Sequence, residues 1–221
     1  MLKSLFMKSK KPEIRDIIVL GYGGNCRDIR EMIQDINKSD SFVKYNFRGF
    51  LDDNRTLPVL GPLRDWSQYN SCYFVNGIGS TTTFRKKEEI INQLQIPKAR
   101  YATLVHPSAY LSKTARIGAG GVIFQNVVIT SNVKIGRHVM ILPNSVISHD
   151  TIVGDYSILA GCVCVSGAVV IGKSCYVGSN TSVKDGVTIG EKSLIGCGTN
   201  VVKDITPHTI NIGNPSYEME K

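Results

Sequence analysis

From Val105 to Val201 every sixth residue is aliphatic, seventeen in succession: Val105, Leu111, Ile117, Ile123, Ile129, Ile135, Ile141, Ile147, Val153, Leu159, Val165, Ile171, Val177, Val183, Ile189, Ile195 and Val201. A helix repeats its buried face about every 3.6 residues and a strand about every 2, so a sustained period of six predicts a coil of short, equivalent facets. Glycine adds a longer beat. Gly118, Gly136, Gly154, Gly172 and Gly190 each follow a ladder residue at intervals of eighteen, so three facets make one turn. One such turn cannot bury its own interior, and stacked turns bury it for each other. Residues two before each ladder position, among them Ser145, Thr151, Ser157 and Thr181, are small or β-branched and are expected to fill the corners. The glycines are expected to supply either φ > 0 or close approach to the next coil. A β-sandwich rich in Val and Ile, the competing reading, leaves the eighteen-residue glycine beat unexplained.

The first half has a different rhythm. Residues 16–20 (Asp-Ile-Ile-Val-Leu) read as a buried strand, followed by Gly21-Tyr22-Gly23-Gly24-Asn25 and an amphipathic helix carrying Ile29, Met32, Ile33 and Ile36. Glycines let a backbone approach a phosphate, and a helix N-terminus offers unpaired N–H groups and the positive end of its dipole. A tight structural β–α corner is the alternative for the same residues. A second strand ends at Phe50-Leu51-Asp52-Asp53, which puts two carboxylates at the edge where open α/β sheets bind ligands, or else in a plain turn. A third, Cys72 to Val75, leads to Gly77-Ile78-Gly79 and a helix near residues 83–94. Cys26 stands where a dinucleotide fingerprint carries glycine, and there is room for about half a Rossmann sheet, so a mononucleotide-type site is favoured. The expected division is a basic, disordered leader over 1–13, an α/β nucleotide-sugar-binding domain over 14–104, and a β-helix domain with its tail over 105–221.

The 221 residues suffice for two modest cores. Residues 1–104 hold 17 Lys and Arg against 11 Asp and Glu, and residues 105–221 hold 9 against 7, so the net charge of +8 resides mainly in the first half. Apart from Lys3, Lys8, Lys10 and Lys11 these cations are not clustered, which argues against nucleic acid and is compatible with small anionic ligands. The six cysteines (Cys26, Cys72, Cys162, Cys164, Cys175, Cys197) form no paired framework or zinc-site spacing and read as reduced thiols of a cytoplasmic protein. No apolar run reaches the length of a membrane span, and Leu5-Phe6-Met7 is too short for a signal-peptide core.

The ladder resembles that of the hexapeptide-repeat acyltransferases, whose left-handed parallel β-helix gives the expected handedness. With the half-Rossmann domain in front, nearly the whole chain resembles the sugar-nucleotide acetyltransferases, which acetylate nucleotide-linked amino sugars of the bacillosamine, perosamine or viosamine type, and their sialic acid O-acetyltransferase relatives. The resemblance implies acetyl-CoA as co-substrate, no metal, and a homotrimer with active sites between subunits. Acyl transfer needs a base near the nucleophile. Of His106, His138, His149 and His208, the best placed is His149, two residues after Ile147 at a corner; by resemblance it is the general base. Asp150 matches the family's His-acid pair, which implies that it orients or polarises the imidazole; because neighbours on extended chain point to opposite sides, action through water or another subunit is the alternative. His106 reads as structural, and His138 and His208 as solvated or packing residues.

The resemblance further implies that Gly167 offers its N–H to the acetyl carbonyl, that Ser179, Cys197 and Gly213 line the acetyl-CoA site, and that Gly21, Gly23, Gly24, Asn25, Asp52 and Asp53 hold the nucleotide sugar. Two departures stand out: Asn25 replaces a helix-start histidine, and Ile158 replaces a histidine nine residues after the catalytic one. The leading expectation is N-acetylation of the 4-amino group of a nucleotide-linked 4-amino-4,6-dideoxy sugar. The rivals are O-acetylation of a sugar such as sialic acid and a non-catalytic nucleotide-binding β-helix scaffold.

Overall fold

A computed structural model describes residues 11–219. Most of the expected leader, residues 1–10, lies outside the described residues, and Glu13 already belongs to the first strand. The N-terminal layer comprises β1 (Glu13–Leu20), α1 (Gly24–Lys38), β2 (Val43–Leu51), β3 (Tyr73–Asn76) and α2 (Lys87–Gln93). The strands form a parallel sheet in the order β2-β1-β3. Because β1 is central, Ile17, Ile18, Val19 and Leu20 are fully buried, and α1 covers one face with Cys26, Ile29, Met32, Ile33 and Ile36 at helical spacing. The helix expected near 83–94 is shorter than the sequence suggested. Ser80 N–H donates to Thr83 Oγ1 (3.0 Å) and Ser80 Oγ pairs with Thr82 Oγ1 (2.9 Å), local bonds that compete with helix and delay its start to Lys87. No helix among the described residues is long and apolar enough to cross a membrane.

Beyond Leu104 the chain winds into a parallel β-helix with three faces. Face I holds Leu104–Val105, Val122–Ile123, Met140–Ile141, Ile158–Leu159, Tyr176–Val177 and Leu194–Ile195; face II runs from Tyr110–Leu111 to Asn200–Val201; face III runs from Arg116–Ile117 to Thr188–Ile189. Each strand pairs with those eighteen residues before and after it, as Ile141 does with Ile123 and Leu159. Every ladder residue from Ile123 to Val201 is at most 4% exposed, whereas Val105, Leu111 and Ile117 are only partly buried because they end the stack. Three buried corner hydroxyls are satisfied, with Ser145, Thr151 and Ser157 donating to the carbonyls of Ala160 (3.0 Å), Ser166 (3.1 Å) and Gly172 (2.8 Å) on the next coil, whereas Thr199 Oγ1 is buried without a partner among the described residues.

Of the two roles expected for the eighteen-residue glycines, close approach is the one adopted. None of Gly118, Gly136, Gly154, Gly172 and Gly190 has positive φ; a Cβ on Gly154 would lie 2.6 Å from backbone atoms of Gly172 and Lys173. Left-handed geometry falls instead on the third residue after each ladder position from Ile117 to Ile195. It is often asparagine (Asn126, Asn132, Asn144, Asn180), which tolerates it, but also Asp150 and even Tyr156.

The N-terminal layer packs on face I, where Val122, Phe124, Met140 and Ile158 share one core with α1 and β1. Along the edge between faces III and I the link is polar. Arg85 Nε donates to the Lys192 carbonyl (2.9 Å), Tyr156 hydroxyl donates to Asn92 Oδ1 (3.0 Å), and Lys87 Nζ donates to the His138 carbonyl (2.6 Å). Lys87 is completely buried with that one acceptor, and burial pushes its amine down to about 7. His138 is the packing histidine expected: it stacks on Tyr156 (5.3 Å, 12°) and meets Tyr101 edge-on (4.4 Å), and burial, then the Lys87 charge, bring it down to about 4.

Two predictions follow from this packing. Gly154→Ala, forced against backbone, is expected to cost about 1–3 kcal/mol in denaturant unfolding, whereas Gly186→Asn, with φ +70 and open space, stays within about 1 kcal/mol. Unfolded Lys87 keeps its proton up to about pH 10.4, but the folded chain releases it near 7, so stability rises with pH across that interval and the burial penalty is full below it. Lys87→Met is therefore expected to raise the melting temperature relative to wild type most at or below pH 7, with the difference shrinking toward pH 10.

Candidate functional site

The end of β1, the start of α1 and the loop after β3 converge on a cavity of about 480 Å³ whose far wall is face I. Gly21, with φ +98, turns the chain out of β1, and Gly23 caps α1 without a side chain, so the first-turn N–H groups of the helix open toward the cavity. Asn25 Nδ2 donates to the Gly79 carbonyl (3.2 Å) and ties the two loops together. Cys26 fills the gap between them: a Cβ on Gly77 would come 2.5 Å from its sulfur, and burial pushes its thiol up to about 12. This is a packing role for the residue in place of a fingerprint glycine.

Gly21, Gly23, Gly24, Asn25 and Asp52 all line this cavity. Asp53 does not; its carboxylate accepts the Leu63 N–H (3.0 Å) at the start of the 3-10 turn Leu63–Gln68, and Asp52 also accepts the Asn54 N–H (2.8 Å). The remaining wall is formed by Ser80, Thr81 and Thr83 and, from face I, by Leu142, Ile158 and Tyr176. The sequence reading did not single out the hydroxyl cluster, Leu142 or Tyr176. The run Ser80-Thr81-Thr82-Thr83 after Gly77-Ile78-Gly79 was a readable signal, whereas nothing local marks Leu142 or Tyr176.

His149 stands on the edge between faces II and III, its side chain 63% exposed. Asp150 adopts φ 60, which folds its side chain back beside its neighbour, and Nδ1 of His149 lies 2.8 Å from Asp150 Oδ2. The expectation that adjacent residues must diverge is overturned by this left-handed corner. Hydrogen bonds from His149 and then from Asn132 Nδ2 (3.1 Å) hold the Asp150 carboxyl below its usual range. A carboxylate only accepts, so in the neutral imidazole Nδ1 carries the proton and Nε2 holds the free lone pair, the tautomer a general base requires. One coil further on, a Cβ on Gly167 would lie 2.5–2.7 Å from the ring atoms Cε1 and Nε2 of His149, so glycine leaves the room the imidazole occupies. The Gly167 N–H has no carbonyl partner among the described residues.

Ser179 and Cys197 lie on a different edge, between faces I and II, and the Gly213 carbonyl accepts the Asn200 N–H (3.1 Å) where the hairpin Ile210–Ile212 and Tyr217–Glu218 closes the stack. The cavity and His149 are also apart. Six residues at about 3.3 Å each set a side of the coil at no more than about 20 Å, so the His149 edge stands on the order of 15 Å from face I, across a core of solid aliphatic packing. His106 bridges the two halves by Nδ1 to Ser108 Oγ (2.8 Å) and Nε2 to Asp35 Oδ2 (3.4 Å), the structural role expected of it.

The bacterial transferase hexapeptide (six repeats) family matches residues 132–167. No curated protein sequence is a significant match. Among solved structures, a mutant of perosamine N-acetyltransferase from Caulobacter crescentus in complex with CoA and GDP-perosamine superposes with a TM-score of 0.82 at 22% identity, over 93% of this chain and 97% of that one. The acetyltransferase domain of PglB from Neisseria gonorrhoeae FA1090 gives 0.79 at 22% identity, over 93% and 100%. WeeI from Acinetobacter baumannii AYE gives 0.75 at 20% identity, over 93% and 100%. At these identities the likeness is one of fold, and it bears out the expected half-Rossmann start followed by a hexapeptide β-helix.

Gly167→Ala is expected to leave the melting temperature nearly unchanged, since the added methyl meets only the mobile end of His149. The imidazole should be displaced, seen as a shift of its ring nitrogens in a ¹⁵N NMR spectrum.

Proposed function

We propose that the protein is an acetyl-CoA-dependent N-acetyltransferase acting on the 4-amino group of a nucleotide-diphosphate-linked 4-amino-4,6-dideoxy sugar. The observation that carries this reading is the His149–Asp150 pair: a base with a bare Nε2 lies against Gly167, on a fold shared with an enzyme solved with CoA and GDP-perosamine. The glycine turn and α1 N-terminus suit a diphosphate. The amine nitrogen attacks the thioester carbonyl, the C–S bond breaks, and coenzyme A leaves as the thiol. His149 Nε2 takes the proton the amine loses and passes it to the departing sulfur, and the Gly167 N–H donates to the oxygen on which negative charge develops. Asp150 keeps the imidazole in the correct tautomer.

The separation of cavity and base supports a division of labour between copies. In a closed ring each chain sets its II–III edge, with His149, against the I–II edge and cavity of the next. That brings His149 and Gly167 of one copy to the edge that carries Ser179 and Cys197 in its neighbour, and acetyl-CoA lies in the groove between them. Face II then turns inward, and between Tyr110 and Asn200 at its two ends its outward side chains Val128, Val146, Cys164 and Ser182 are short enough for three faces to meet on an axis. We assign the functional division at 14–104 for the nucleotide sugar and 105–221 for acyl transfer, and a cytoplasmic setting where acetyl-CoA is available.

The test is thiol release from acetyl-CoA against a panel of nucleotide-linked amino and hydroxy sugars. Turnover with an amino sugar, reduced about 10²–10⁴-fold by His149→Ala, supports the reading; turnover only with hydroxyl acceptors replaces it with O-acetylation, and none with either removes it. Gly23→Trp places a large side chain in the cavity mouth, where nothing lies within 4 Å. Mixing that inactive variant with His149→Ala under conditions of subunit exchange is expected to restore about a quarter of the wild-type rate, since one site in four pairs an intact cavity with an intact base. No recovery despite mixed oligomers would place both halves of the site in one chain.

A further inference from the structure

Resting on the diphosphate placement above, we infer that Lys87 supplies the positive charge for the bound nucleotide sugar: the diphosphate, seated in the cavity, draws a proton from solvent onto the buried Lys87 amine, so nucleotide binding and proton uptake are linked. The cavity lining contains no lysine, arginine or histidine, and Asp52 is its one carboxylate. The phosphate charges therefore meet N–H and hydroxyl dipoles at the wall but no cation. The stem of Lys87 lies behind that wall. Its Cδ is 3.8 Å from the place a Cβ on Gly79 would take, and the Gly79 carbonyl accepts from Asn25 in the first turn of α1 (3.2 Å).

The amine has no other charge to answer to. Lys87 is completely buried, its one acceptor is the neutral His138 carbonyl at 2.6 Å, and no carboxylate pairs with it among the described residues. The charged and titratable groups around it are engaged elsewhere. On the β-helix, Arg137 is bound to Asp155 (2.7 Å) and His138 is stacked on Tyr156; from the linker, Tyr101 meets the His138 ring edge-on; on α2 itself, Glu88 accepts from Ser174 Oγ (3.5 Å). Burial brings the amine down to about 7, so near neutral pH a modest field decides whether it is charged. At a separation on the order of 10 Å and an effective dielectric of about 20, each phosphate charge raises its titration by about one pH unit. A surface lysine, charged already and screened by salt, binds an anion without taking up a proton.

The experiment follows binding of UDP-glucose, GDP-mannose and dTDP-glucose, without acetyl-CoA, by calorimetry in buffers of different ionisation enthalpy from about pH 6.5 to about pH 9.5. These probes carry no amine, and their diphosphate diesters keep both charges throughout, so any proton taken up belongs to the protein. Wild type is expected to take up about 0.8 proton per bound nucleotide near pH 8, and its affinity to fall about 30–100-fold across the range as the free amine loses its proton. Lys87→Met, an apolar side chain of similar length in the same buried position, is expected to fold and to bind with little dependence on pH, at the affinity wild type approaches at the alkaline end. Its proton uptake falls close to zero. A binding heat independent of buffer in wild type, or an uptake that Lys87→Met retains, overturns the inference and leaves the diphosphate placement standing. Failure of all three probes to bind overturns both. Proton-linked binding by a chain that transfers no acetyl group upholds the inference and overturns the proposed reaction instead.

Discussion

Stacking at one fixed repeat is the constraint on which the rest of this protein depends. Thr130 N–H donates to the Ile147 carbonyl, and Ser148 N–H donates to the Val165 carbonyl, one coil after another along the same column. This spacing satisfies the backbone and brings each ladder side chain onto its equivalents above and below, so hydrogen bonding and apolar burial demand the same register. A one-residue slip would move the aliphatics outward on every coil at once. Close approach at Gly154, buried hydroxyls at Ser145 and Ser157, and left-handed corners are consequences of holding that register where the chain must turn.

Much of this was legible because a period of six is long, uninterrupted and foreign to helices and single strands. The halves differ in what they hid. The ladder, the inward corner residues and the β–α–β start follow from local pattern, but the reason for the glycines does not, since positive φ and close approach leave the same letter in the sequence. Asp53 looked like Asp52's equal, and only the loop returning to Leu63 separates their roles. Leu142, Ile158 and Tyr176 reach the cavity from successive coils opposite a loop about sixty residues or more away. The eighteen-residue spacing that puts His149 and Gly167 on one edge was legible, but one consequence of it went unread: Ser179 follows Gly167 by twelve and must fall on another edge.

The corner geometry explains how neighbouring residues act as a pair. On a regular strand His149 and Asp150 would point apart, but the left-handed conformation at Asp150 turns its carboxylate onto Nδ1, and Asn132 on the preceding coil holds the other oxygen. Aspartate accepts this backbone more readily than most residues. The same φ that turns the coil also holds the pair together, so no distant partner is needed to fix the tautomer.

The division of the proposed site follows from the shape of a prism. A triangular stack offers a flat face broad enough to seat another layer and narrow edges on which a side chain stands clear. Here the face carries the N-terminal α/β layer with its cavity and an edge carries the imidazole, and a filled core lies between them. No rotamer or loop movement within one chain spans that distance, but a rotation about an axis facing face II does so for every copy at once. In the proposed ring, the short central side chains Val128, Val146, Cys164 and Ser182 on face II and the exposed His149 edge would be two requirements of one assembly. Catalysis by such an arrangement depends on the packing of the axis as directly as on the base itself, because displacing a neighbour by an ångström displaces Nε2 by the same amount relative to the bound sugar.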